Sequence, residues 1–326
     1  MLADLPAVQT AVLAWFEQHR RDLPWRHTRD PYAIMVSEIM LQQTQVDRVI
    51  PYWHEWMERW PDVHALAAAP VAEVIRAWKG LGYNRRAVNL QRAAQAVAEA
   101  GGELPRTVAG LLDLPGIGPY TAGAIACFAF EQDVAFIDTN MRRVLHRVFV
   151  GVDVPKPTIS DKQVLEIAAE AIPAGQGWTW NQAIMEFGAI HCTARKPMCL
   201  TCPVQHQCAS FPEIQAAIAA NGKVVKGVSI PFEQTNRYFR GRILDELRAH
   251  EGEGVSLEEM GAAVKTEFVI GDYPWLLDLV TALERDGLLV MDEIVPKGRF
   301  ELPRQIAETS PQYDSTPVEK IRVRLP

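Results

Sequence analysis

Three sets of residues could carry chemistry in this chain. Glu38 stands inside Ser37-Glu38-Ile39-Met40-Leu41-Gln42-Gln43-Thr44-Gln45, beside large apolar side chains that would strip a carboxyl of hydration and raise its pKa. Asp138 precedes Thr139-Asn140 at a predicted helix start, where the macrodipole favours the ionised form. A protonated acid and an ionised carboxylate are the two partners of acid-assisted hydrolysis. Each has a plainer reading too: a surface glutamate on an amphipathic helix, and a simple N-cap aspartate. The third set is Cys192, Cys199, Cys202 and Cys208, spaced Cys-x6-Cys-x2-Cys-x5-Cys. Four thiolates on a short loop suit an iron–sulfur cluster or zinc. Disulfides are disfavoured in a chain that shows no secretion signal, and Cys127, in an apolar run, reads as an inert core thiol.

The elements that must position these groups read as mostly helical. Leu5 to Arg20 carries a stripe at Val8, Ala11, Val12, Trp15 and Phe16; Pro31 to Val49 reads as one long helix, and a second begins at Pro51. Two short helices separate near Pro70, and Ala87 to Ala100 ends at Gly101-Gly102. Between them, Gly80-Leu81-Gly82-Tyr83-Asn84-Arg85-Arg86 is a glycine turn with an aromatic and two cations, able to wedge between bases and hold phosphates, or to bury its tyrosine. Leu114-Pro115-Gly116-Ile117-Gly118-Pro119 forms a tight turn before the apolar run to Phe130. Gly116 and Gly118 would present backbone donors at a helix start, a ready phosphate site. The amides of Gln42 and Gln43 could reach base edges.

Length and charge bound the rest. The 326 residues allow two or three domains, and no apolar run reaches the ~20 residues of a membrane span. The net charge of −7 sits uneasily with nucleic-acid binding, but the acids gather late while Arg20-Arg21, Arg85-Arg86, Arg142-Arg143 and Arg195-Lys196 lie earlier. A cytoplasmic protein is expected.

The hairpin, the aspartate after it and the cysteine spacing together resemble the helix-hairpin-helix superfamily of base-excision DNA glycosylases. Within it, Leu23-Pro24-Trp25-Arg26, residues 37–45, Gly80-Leu81-Gly82-Tyr83, Gly118 to Ala124, and residues 180–189 look like the MutY-type adenine DNA glycosylases. The resemblance covers roughly residues 5 to 208. It implies that Glu38 protonates adenine, that Asp138 stabilises the sugar cation, and that Tyr120, Asn140 and Glu186 line the pocket. It further implies that Trp25, Arg26 and Leu41 contact the extruded base while Gln42 and Tyr83 fill the gap. The cysteines would hold a [4Fe–4S] cluster, and the partner would be duplex DNA with an adenine mispaired with guanine or 8-oxoguanine, bound by a monomer. Bifunctional relatives have a lysine where this chain has Tyr120, so no lyase step is expected. The chain also departs at Thr139, where the family has glycine, and at Asn84, where it has a second tyrosine.

The implied architecture is a mainly α helix-hairpin-helix fold: residues 1–22 and 132–210 as a helical domain with the cluster loop, and 23–131 as a six-helix domain. A linker at 211–235, a winged-helix-like domain at 236–305 and a tail at 306–326 follow. Helices over 238–247, 256–264 and 273–285, then a hairpin over 288–302, replace the Nudix-like domain of the family. Asp278, Glu284 and Asp286 on the third helix make it a poor groove reader, so a brace or a protein contact is equally well matched. A thymine/guanine mismatch glycosylase and a non-catalytic iron–sulfur DNA-binding regulator remain as alternatives.

Overall fold

Nine consecutive residues, Tyr32 to Met40, are buried in the helix Pro31–Leu41, and nine more, Thr121 to Ala129, are buried in the helix Pro119–Phe130. Helices apolar all round belong in a core, and these two pack against each other. Both begin on a proline that needs no donor, the first also on Asp30, whose carboxylate accepts from the Tyr32 amide at 3.0 Å. The computed structural model describes residues 4–221, 230–250, 254–293 and 321–326. The chain folds as two units, Met1–Gln42 with Glu103–Gly227, and Gln43–Gly102 with Val228–Pro326.

In the first unit the stripe Val8, Val12, Trp15, Phe16 buries the helix Leu5–His19 against Gly177–Glu186. The division falls after Gln42 and not at 22 or 131, because packing against Pro119–Phe130 ties Pro31–Leu41 to the later helices. A helix, Ile214–Asn221, occupies part of the segment expected to be a linker.

Pro31 to Val49 is not one helix. The first helix ends at Leu41, Gln42 leaves helical geometry with ψ 111, and Gln43 sits at φ 55. The next helix, Val46–Arg59, runs through Pro51, held by buried Val49, Trp53 and Trp56. The Gln-Gln-Thr-Gln run is therefore a connection, which frees its amides from helix periodicity.

The second unit contains Val46–Arg59, Val63–Ala68, Val71–Ala77 and Arg85–Glu99, then Asn236–Ala249, Leu257–Val264 and Tyr273–Arg285. Ser256 and Glu259 close a capping box at the start of Leu257–Val264, as Ser-x-x-Glu predicts. Among the described residues it also has three strands, β1 (Val255–Ser256), β2 (Val290–Glu293) and β3 (Ile321–Arg324), antiparallel in the order β1-β3-β2. The described elements there run helix, strand, two helices and two strands, with the last strand in the middle. The central strand lies in the segment expected to be a tail: Val323 is fully buried and pairs with both Val255 and Met291. Of the hairpin expected over 288–302, the first part contains β2, and residues 294–302 lie outside the described residues. The core of this domain takes in Ile75 and Val88 from the earlier helices. Among the described residues no helix is long and apolar enough to cross a membrane.

Candidate active site

Glu38 is 3% exposed in a helix with no solvent face, which removes the surface-glutamate reading. Burial pushes its carboxyl up to about 7; the Tyr120 hydrogen bond and Arg26 oppose that, and Asp138 adds to it by like-charge repulsion. Its Oε2 has no hydrogen-bond partner among the described residues. Tyr120, in the first turn of Pro119–Phe130, is steadied by an edge contact to Phe136, 5.5 Å between centroids. The structure thus brings Glu38, Tyr120 and Asp138 together within the first unit.

Asp138 is the N-cap of Thr139–Phe149. Its Oδ1 accepts from the Met141 amide at 2.6 Å and its Oδ2 from the Asn140 side chain at 3.1 Å. Burial raises its pKa, against those hydrogen bonds. The ionised form favoured by the helix start is therefore opposed by lost hydration, a cost that the local sequence does not show. Asn140 is held in turn by Arg143, whose Nη2 donates to Asn140 Oδ1 at 2.8 Å and to the Gly188 carbonyl at 2.6 Å. A Cβ on Gly188 would meet Asn140 Cβ at 2.8 Å, so glycine is needed for that approach.

Glu186 is 1% exposed and paired twice. Its Oε1 accepts from Arg21 Nε at 2.6 Å and its Oε2 from Arg26 Nη2 at 2.8 Å. Burial alone would raise its pKa, but the two guanidiniums hold it below the usual carboxylate range. Arg26 also donates to Gln182 at 2.9 Å and covers Phe16. Arg21 escapes a reading of the sequence, since nothing local marks a cation whose partner lies 165 residues away. Trp25 is buried, Leu41 is half-buried, and Gln42 Nε2 donates to Thr121 Oγ1 at 3.3 Å.

The hairpin turns as expected, with one difference. Gly116 takes φ 78, which requires glycine, whereas Gly118 is extended and acts as an N-cap with no side-chain hydrogen bond. Space beside Gly118 is open, with no atom within 4 Å of where a Cβ would stand. In the second unit, Tyr83 has φ 46 and is 40% exposed, so it is not a buried turn aromatic.

Cys192, Cys199, Cys202 and Cys208 line one recess with Val148, Phe187, Val204 and Ile214. Arg147 Nη1 reaches Cys192 Sγ at 3.8 Å, and Cys208 Sγ donates to the Arg147 carbonyl at 3.3 Å. No three cysteine, histidine or acidic side chains among the described residues converge tightly enough to hold a single metal ion. Four thiols lining one apolar recess are a donor set that suits a thiolate-bound metal centre. A π-turn over Phe187–His191 delivers Cys192 to the recess, and Arg195 and Lys196 stand exposed beside it. Cys127 is buried as expected, and burial pushes its thiol up to about 12.

The family described as HhH-GPD superfamily base excision DNA repair protein matches residues 36–172. The adenine DNA glycosylase of Mycolicibacterium smegmatis is 45% identical over 243 residues, 73% of this chain and 79% of that protein. That of Mycobacterium tuberculosis strain H37Rv is 38% identical over 305 residues, 90% of this chain and 93% of its own length. That alignment carries the likeness beyond residue 208 into the C-terminal domain. A solved structure, described as a thermostable thymine-DNA glycosylase, superposes with a TM-score of 0.60 at 33% identity, covering 64% of this chain and 96% of that one. Likeness over nearly the full length of the mycobacterial protein settles the family: the chain belongs to the adenine DNA glycosylases, within the HhH-GPD superfamily of base excision DNA repair proteins.

Proposed function

We propose that this protein hydrolyses the N-glycosidic bond of adenine mispaired with guanine or 8-oxoguanine in duplex DNA. One observation carries the reading: an acid buried enough to keep its proton to about pH 7, beside a second carboxylate held by helix-start donors. Adenine leaves poorly as an anion, so cleavage needs a proton on the ring. Glu38 supplies it from the protonated carboxyl that Tyr120 orients. As the bond breaks, positive charge develops on the sugar, and Asp138 offsets it. Water completes the hydrolysis, and the proton balance is restored when Glu38 is reprotonated. Asn140 holds Asp138 in its cap, and Arg143 holds Asn140.

Trp25, Arg26 and Leu41 receive the extruded base, with Glu186 acting through Arg26, which it fixes. Gly116 and Gly118 bind phosphate through backbone amides, while Gln42 and Tyr83 occupy the space adenine leaves. Cys192, Cys199, Cys202 and Cys208 would hold a [4Fe–4S] cluster, whose contribution when bound is structural, ordering the loop that carries Arg195 and Lys196. A monomer acting on DNA in the cytoplasm accords with this reading.

The thymine/guanine alternative draws support from the likeness to a thymine-DNA glycosylase, which is less identical to this chain than the adenine enzymes are. Duplexes carrying adenine opposite guanine, adenine opposite 8-oxoguanine, and thymine opposite guanine separate them. The expected result is alkali-dependent breakage at adenine in the first two only, with no adduct trapped by borohydride. Cleavage confined to thymine would overturn the proposal. Binding without cleavage of any duplex would favour the regulator.

A further inference from the structure

Three consecutive residues of the glycine turn are each gripped by the C-terminal domain. The Arg237 guanidinium lies over the Tyr83 ring, 4.1 Å from its centroid. Arg248 donates to Asn84 Oδ1 at 2.8 Å and, through Nε and Nη2, to the Ile75 carbonyl at 3.1 and 3.0 Å. Asp286, which pairs with Arg240 at 2.5 Å, reaches Arg85 at 3.4 Å. Arg237 and Arg248 sit at opposite ends of one helix, Asn236–Ala249, so that helix spans the turn like a bar. From within the turn, Arg86 lies under the same tyrosine, 5.7 Å from its centroid, and donates to the Leu81 and Gly82 carbonyls at 3.1 and 3.0 Å.

A left-handed tyrosine whose ring stays 40% exposed depends for support on the groups stacked on it. The cation stacked on it supplies that support. We propose that Arg237 is a positioning residue for Tyr83, through which the C-terminal domain sets how the glycine turn meets the duplex. The inference rests on the reading of Tyr83 as a DNA contact. The C-terminal domain then influences mispair binding without reading a base itself.

The test uses full-length protein and duplexes with adenine opposite guanine or 8-oxoguanine, comparing Arg237→Ala, Arg237→Lys, Tyr83→Ala and the Arg237→Ala/Tyr83→Ala pair. Affinity, its salt dependence, single-turnover rate and melting temperature are read for each. Loss of an exposed cation–π contact is expected to weaken binding about two- to fivefold, with the melting temperature and the rate at saturation unchanged. Arg237→Lys should recover most of the affinity, and Arg237→Ala should do nothing further once Tyr83 is alanine. Additive losses, with the salt slope reduced by about 1, would mean that Arg237 binds phosphate directly, and would overturn the proposal. Unchanged or tighter binding by Arg237→Ala, with Tyr83→Ala weakened, would overturn it and leave Tyr83 as a contact. Should Tyr83→Ala bind like the parent, the underlying reading of Tyr83 fails and the proposal falls with it. Failure of the parent to release adenine would expose an error in the proposed activity before any variant is compared.

Discussion

The Tyr120 hydroxyl donates to the Glu38 carboxyl and leaves Glu38 Oε2 with no partner among the described residues. One oxygen is oriented and the other stays available to deliver a proton. Burial, and after it like-charge repulsion from Asp138, favour the protonated form of Glu38.

The pH dependence follows from that carboxyl. Cleavage at saturating enzyme should fall as pH rises through about 7, where Glu38 loses its proton. Stability moves in the same direction. The folded acid keeps its proton to about 7 and the unfolded one to about 4.5, so this contribution is complete below the lower value and lost as pH rises through the upper. Glu38→Gln removes that loss. Its melting temperature should exceed the parent's at pH 8.5 and not at pH 4, the difference reflecting up to about 3 kcal/mol. Melting curves that stay parallel across this range would contradict the assigned burial cost.

Asp138 is both cap and carboxylate, and two substitutions separate the roles. Asp138→Asn keeps an N-cap oxygen, so it should fold with a near-parental melting temperature while losing about 10²-fold or more in cleavage rate. Asp138→Ala should lose about 1 kcal/mol of stability as well. Equal cleavage by Asp138→Asn and the parent would leave the aspartate as a cap alone.

Much of this site was legible because its groups announce themselves locally. Glu38 among apolar neighbours, Asp138 before Thr139-Asn140, and the four-cysteine spacing are patterns of adjacent residues. The limits of the helix Pro119–Phe130 were equally plain, since proline opens it and apolar residues run to its end. What escaped depends on distance. Arg21 reaches Glu186 across 165 residues, Arg143 ties Asn140 to Gly188, and Arg237 finds Tyr83 across the chain. The break at Gln42 escaped for a different reason: apolar periodicity continues through it, and only backbone angles show that Gln43 turns left-handed. Strand β3 was hidden because Ile321–Arg324 is short and gains meaning only between its two partners.

Metal analysis of purified protein should find iron, about four per chain, with broad visible absorbance, and little zinc. Cys202→Ser should lose both colour and affinity for duplex DNA, since the loop bearing Arg195 and Lys196 would lose its anchor. Stoichiometric zinc without iron would contradict the cluster.

The C-terminal domain cannot be removed cleanly. Ile75 and Val88 belong to its core, and Val71 and Ala72 pack against it. A chain ending near Asn221 exposes that face, at about 1.5–3 kcal/mol for each large aliphatic side chain uncovered. Such a truncation should melt well below the parent or aggregate. A truncation with parental stability would contradict the shared core.

Single-turnover release of adenine by Glu38→Gln bears most closely on the assignment of the acid. The duplex should carry adenine opposite 8-oxoguanine, at protein concentrations above the dissociation constant. Binding should stay within a few-fold of the parent while the cleavage rate falls by about 10²–10⁴ at least, because the amide has no proton to give. Cleavage within tenfold of the parent, at equal occupancy, would contradict Glu38 as the acid.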